Sequence, residues 1–213
     1  EPELGPNPAG TGPLSNARRR PAGSYDQETS RRWDKKGRDA IKLPYYGFSH
    51  VDLLTGHGDS AGAAHLEDQR DALGNPEQLR GTLNQLTHAY TCPQAIRTSI
   101  PEAQHSTFWV RDRAVKYLSS AQRKETSFFA FLSFPDPHHP FAPPGKYWDM
   151  YGPDDMVLPD SFHQHSNNPP PHLKWLREHG QIGDAGYGAA RVTEKQAREA
   201  MALTCGMIAM VDD

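Results

Sequence analysis

A chain of 213 residues is long enough for one domain with a real core, yet only 36% of it is apolar, and 19 prolines and 18 glycines break it into short segments. A formal charge of −3 and a pI near 6.4 give no basic surface of the kind that nucleic acid or an anionic bilayer selects. No run approaches the roughly 18 apolar residues that cross a membrane, so a loop-rich protein with a few strongly apolar elements is predicted, with neither nucleic acid nor membrane as partner.

Residues 1–24, rich in Pro, Gly, Asn and Ala, read as a loop or linker, and the Arg18-Arg19-Arg20 run within them reads as solvated. The first residues lack the basic and apolar regions of a signal peptide and do not begin with Met, while Met201 to Asp213 form an apolar helical pattern that simply stops. Both ends read as cuts through a longer protein, which leaves the compartment open. From Asp26 to Ala40 the charge density predicts a surface helix anchored by Trp33. Tyr45 to Leu54 alternates aromatic and aliphatic residues and ends at Gly56-His57-Gly58, the pattern of a strand entering a loop.

Asn75 as N-cap and Pro76 at the first helical position predict a helix with Leu79, Leu83 and Leu86 on one face. A second helix is predicted from Thr107 to Ala121, burying Trp109, Val110, Ala114 and Leu118. Ser127 to Phe134 is almost continuously apolar and predicts a short buried strand beside that helix, in an α/β layer. Pro143 to Pro171 reads as an irregular, proline-rich excursion. Thr193 with Gln196 forms a capping box opening a last helix, whose buried stripe is predicted to be Ala197, Ala200, Met201, Thr204, Ile208 and Val211. Cys92 and Cys205 have no metal-type spacing; Cys205, inside the apolar helical pattern, reads as a small core residue.

The stretch richest in chemistry follows the predicted strand. Pro135-Asp136-Pro137-His138-His139-Pro140-Phe141 fixes two imidazoles among three prolines at the point where α/β enzymes place ligands, beyond the carboxyl end of a strand. Imidazoles donate hydrogen bonds to anions near neutral pH, so His138 is the first candidate for catalysis and His139 a candidate for substrate contact. Asp136 either orients one of them or makes a local turn. His57, between two glycines that let backbone approach a ligand, His105, just ahead of a predicted helix, and Lys146, in a Pro/Gly loop, are further candidates for binding an anionic substrate.

Pro137-His138-His139-Pro140-Phe141, continued by Pro143-Pro144-Gly145-Lys146-Tyr147-Trp148 and Met150-Tyr151, closely resembles a segment of the sulfatase family, part of the alkaline-phosphatase-like superfamily. Three other stretches resemble the family in the same order: Tyr46-Gly47-Phe48 with Gly56-His57-Gly58-Asp59, then Ser99-Ile100-Pro101-Glu102 through His105, Trp109 and Asp112-Arg113-Ala114, and finally Gly206 to Asp213. The resemblance runs from about Leu43 to the last residue. It implies an α/β fold, part of an alkaline-phosphatase-like sandwich with a central mixed sheet flanked by helices, truncated at both ends. Residues 25–213 would then be the interior of a single catalytic domain.

The same resemblance implies that His138 contacts the sulfate of a small-molecule or carbohydrate sulfate ester. It also implies calcium and a formylglycine nucleophile, both held by residues outside the chain. Cys92-Pro93-Gln94-Ala95-Ile96-Arg97 departs from the family's nucleophile motif in the spacing of Pro and Arg. Asp212-Asp213 follows a helix where the family's metal-binding pair follows a strand, and Asp154-Asp155 lacks the converging oxygens that calcium needs, so no metal site is predicted here. Two alternatives remain open: a phosphonate monoester or phosphodiester hydrolase of the same superfamily, and a non-catalytic anion- or carbohydrate-binding relative in which Tyr147, Trp148 and Tyr151 stack on sugars.

Overall fold

Trp33 is the first side chain to organise the chain. It lies on α1 (Ser30–Lys36), continued by a 3-10 turn over Gly37–Ala40, and packs with Ala40 and Ala63 while its indole N–H donates to the Gln27 carbonyl at 2.9 Å. The helix and its anchor are those read from the sequence. The computed structural model describes residues 26–120, 127–164, 168–179 and 192–213, so the loop predicted over residues 1–24 lies outside the described residues.

The strand predicted over Tyr45–Leu54 is replaced by a turn and a stub. Tyr45 and Phe48 exchange two backbone hydrogen bonds of 2.9 Å each, closing a tight turn at Gly47, whose φ is +91°. The extended backbone then pairs only at β1 (Leu54–Thr55), antiparallel to β2 (Gly62–Ala63), in the register Leu54 to Ala63 and Thr55 to Gly62. Among the described residues this two-stranded ribbon is the only sheet, so the fold is a mixture of helices and a small sheet, and the central mixed sheet is not present in them.

α2 (Ala64–Leu73) follows directly and turns His65 and Gln69 onto one acceptor, the Gln104 carbonyl, at 3.1 and 2.8 Å. Burial holds the His65 imidazole at about 4, far below its ordinary value, so it stays neutral in the folded protein. The unfolded chain therefore binds a proton at higher pH than the folded one. Stability from this group is complete above pH 6.5 and is lost as pH falls toward 4, by on the order of 3 kcal/mol. Urea unfolding at pH 7 and pH 4.5 tests this: replacing His65 with Met flattens that part of the pH dependence.

The helix predicted from Asn75 is a single 3-10 turn, Pro76–Leu79. Gly81 takes φ +79° and ends it, while the Arg80 guanidinium reaches back to the carbonyls of Asp59 and Ala61. Leu83 is left 97% exposed and Leu86 also lies at the surface, so the predicted apolar face does not form. The second predicted helix is α3 (Ser106–Leu118), capped by His105. Its buried residues are Ser106, Thr107, Phe108 and Val110; Trp109 and Ala114 are half-buried, Leu118 is exposed, and the predicted end at Ala121 lies outside the described residues.

Ser127–Phe134 is the largest departure. It has no regular secondary structure and pairs with no strand among the described residues, and Phe129 and Phe131 are 77% and 71% exposed. An apolar run becomes a buried strand only when neighbouring strands satisfy its backbone and a second layer covers its side chains, and neither is supplied here.

After α4 (Pro171–His179), the chain closes with α5 (Glu194–Asp212). The predicted capping box is present: Thr193 Oγ1 accepts from the Gln196 N–H at 3.1 Å, and Gln196 Oε1 accepts from the Thr193 N–H at 2.9 Å. The predicted stripe is not the buried one. Gln196, Glu199, Ala202, Leu203, Gly206, Met207 and Met210 face inward, and Ile208 is exposed. Two polar residues go inside because they have partners there. Glu199 accepts from the N–H groups of Thr91 and Cys92 at 2.8 and 2.7 Å, and Gln196 donates to the Thr91 carbonyl. Leu203 joins Cys92, Ala95 and Trp148 in one core cluster, and Met207 and Met210 join Phe108 and Tyr147 in another, with Phe141 touching both. Both cysteines are free; Cys92 is buried and Cys205 half-buried. No helix among the described residues is long and apolar enough to cross a membrane.

Candidate functional site

Three prolines remove three backbone donors from the Pro135–Pro140 loop and narrow its φ values, so the loop is held from its two ends. At one end Asp136 is buried and its carboxylate accepts from the Thr107 hydroxyl at 2.5 Å, on the first turn of α3. At the other end Phe141 bridges to Ala95 in parallel fashion, its N–H donating to the Gln94 carbonyl at 2.8 Å and its carbonyl accepting from the Ile96 N–H at 3.0 Å. Between the clamps the His138 N–H closes a turn on the Pro135 carbonyl at 3.0 Å. His138 is exposed and His139 half-buried.

A third imidazole reaches the same place from a distant part of the chain. Gly56 and Gly58, with φ +77° and +48°, carry His57 through a turn that most side chains would strain. A Cβ on Gly58 would stand 3.2 Å from Pro140 Cγ and 3.3 Å from Ala142 Cβ, so this turn lies directly against the proline loop. The His57 and His138 rings stack with centroids 3.9 Å apart and planes 10° from parallel, and the His139 ring lies 4.1 Å from His138. The sequence marked all three, but it carried no sign that they meet.

His138 Nδ1 lies 2.5 Å from the His139 carbonyl oxygen. A carbonyl only accepts, so Nδ1 carries a hydrogen, and Nε2 accepts in the neutral ring and donates to an anion only when the ring is protonated. Burial lowers the pKa of His57, and His138 and His139 lower it further against the pull of Asp136. Burial, then His138, lowers that of His139 as well. A charge on one ring thus discourages a charge on the next. Chemically, the cluster offers imidazole N–H donors to a small oxyanion.

The other predicted residues lie elsewhere. His105 is 2% exposed and caps α3, its Nδ1 accepting from the Thr107 N–H at 3.3 Å, so it is a structural group beneath the loop. Burial lowers its pKa, against Asp136 and Asp59, which raise it. Lys146 is exposed and pairs with Asp213 at 2.9 Å over the Tyr147 ring, outside the imidazole cluster. Asp136 makes no hydrogen bond to either neighbouring imidazole; it anchors the loop. Tyr147 and Trp148 are buried and present no face to a sugar ring. A cleft of about 890 Å³ opens between the Tyr45–His57 segment, α3 and the Phe129–Pro135 run, with His57 in its wall. Sequence reasoning missed the Asp136–Thr107 clamp, and the only signal for it was a lone carboxylate among prolines. Among the described residues no three His, Cys, Asp or Glu side chains are placed to hold a metal ion.

Comparison with known proteins finds that about half of the chain is similar to a sulfatase and to an alkaline phosphatase superfamily protein. No protein-family model matches the chain. Over 118 residues, 53% of the chain, it is 31% identical to the multifunctional alkaline phosphatase superfamily protein PehA of Trinickia caryophylli, covering 22% of that protein. Over 107 residues, 46% of the chain, it is 28% identical to the ulvan-active sulfatase of Formosa agariphila, covering 21% of it. The matched stretch spans about a fifth of the length of each of these curated relatives.

Proposed function

We propose that the intact protein is a hydrolase of the alkaline phosphatase superfamily acting on a sulfate monoester, small-molecule or carbohydrate, and that His138 is its catalytic group within this chain. The observation that carries the reading is an exposed imidazole whose Nδ1–H is committed to a backbone carbonyl, which leaves Nε2 to donate to an oxyanion when the ring is protonated. Hydrolysis of such an ester breaks a bond to sulfur and leaves charge on the departing oxygen. A fixed N–H donor at that oxygen, or at the sulfate oxygens, lowers the barrier most where charge develops. His139 stands beside it as a second donor.

Calcium and a formylglycine nucleophile, implied by the resemblance, would come from residues other than those described, and no step is assigned to either. The same reading gives the exposed apolar run over Ser127–Phe134 a place as a strand of the larger alkaline-phosphatase-like sheet. The names of the two relatives, one a sulfatase and one a multifunctional phosphatase-superfamily protein, support the superfamily more than the ester. Turnover of an aryl sulfate, a phosphate diester and a phosphonate monoester by the intact protein decides the ester. The expected result is a kcat/KM for the sulfate at least about tenfold above the others. A reversed order makes the protein a phosphodiester or phosphonate hydrolase, and no turnover of any makes it a binding relative.

A further inference from the structure

We propose that His57 is a positioning residue for His138: its ring is the platform that holds the His138 imidazole in the plane from which Nε2 meets an oxyanion. The inference rests on the reading of His138 as the anion-binding group and adds how that group is held. A surface histidine ordinarily turns about two side-chain bonds, and an anion that needs one orientation must stop that motion on binding. Here two features already restrict it. The Nδ1–H bond to the His139 carbonyl ties one edge of the ring, and the His57 ring covers one face at 3.9 Å and 10° from parallel.

The platform is itself built. His57 comes from a turn with two positive-φ glycines, pressed against Pro140 and Ala142 of the same loop, and Ser60 Oγ donates to the His57 carbonyl at 2.6 Å. Its Nδ1 is buried with no hydrogen-bond partner, which suits a ring used for its face rather than its nitrogens. The titratable groups facing His57 are His138 and His139 from the proline loop and Asp136 at its root. Of these the two imidazoles disfavour a charge on His57 and Asp136 favours one.

The test is binding of inorganic sulfate to the intact protein, with histidine ring signals followed by NMR against pH. Replacing His57 with Ala weakens sulfate by roughly fivefold, because the His138 ring must then be ordered on binding. Replacing His57 with Phe keeps a flat ring without nitrogens and holds affinity within about twofold of the parent. Replacing His138 with Gln moves the His57 titration to higher pH, a signature that a merely structural histidine lacks. Equal losses for His57→Phe and His57→Ala would show that a His57 nitrogen itself touches the anion, and overturn the proposal. A His57 titration unmoved by His138→Gln would overturn the stack. Failure of the catalytic reading looks different: turnover then survives loss of His138 while the coupling between the rings persists.

Discussion

Replacing His138 with Ala in the intact protein lowers kcat/KM for an aryl sulfate by about a hundredfold to a thousandfold, the usual loss when one preorganised donor to a developing oxyanion is removed. The effect falls mainly on kcat, because the departing oxygen gains its charge only in the transition state. The fold gives reason for only a small stability change, from the lost ring stacking and the bond to the His139 carbonyl. The ring is exposed, and the loop is clamped by Asp136 to Thr107 and by Phe141 to Gln94 and Ile96, none of which uses the His138 side chain. A large kinetic loss with little change in the thermal midpoint is therefore the expected pair of results. Unchanged kcat/KM removes His138 from the site and the proposed function with it.

Replacing Gly206 with Ala destabilises the fold by about 3 kcal/mol or more, although glycine-to-alanine changes inside helices ordinarily stabilise by up to about 1 kcal/mol. A methyl group at Gly206 would lie 2.2 Å from the Tyr147 carbonyl oxygen and 3.3 Å from its carbon. Both are backbone atoms, so neither can swing aside as a side chain would. α5 would have to back away from the Pro143–Trp148 segment, opening the contacts of Met207 and Met210 with Phe108 and Tyr147. Urea unfolding measures the loss, and Ile208→Ala, on the exposed face, is the control, expected within about 0.5 kcal/mol of the parent. A Gly206→Ala variant as stable as the parent means that α5 does not seat on Tyr147.

The elements legible in the sequence are those whose cause is local. Thr193 and Gln196 cap α5 because each side chain needs only a backbone group three residues away. Trp33 anchors α1 because a lone indole in a charged segment has little else to do. α3 was readable to within a residue at its start. The failures share a different cause. Asn75-Pro76 is a sound helix opening, but Arg80 is drawn to the Asp59 and Ala61 carbonyls and Gly81 turns the chain away. The α5 stripe was misread because hydrophobicity alone puts Glu199 outside, whereas the N–H groups of Thr91 and Cys92 draw it inside.

For the candidate site the division is the same. The order of residues alone placed two histidines in a proline-stiffened loop after an apolar run, because proline restricts its own φ wherever it stands. Spacing along a chain carries no distance between segments far apart in sequence. Only the tertiary packing of Gly58 against Pro140 and Ala142 brought His57 flat against His138, buried His105 under α3, and sent Lys146 to Asp213. Local sterics and short-range hydrogen bonds are written residue by residue; the meeting of side chains from separate segments depends on which surfaces fit, and that is settled when the chain packs.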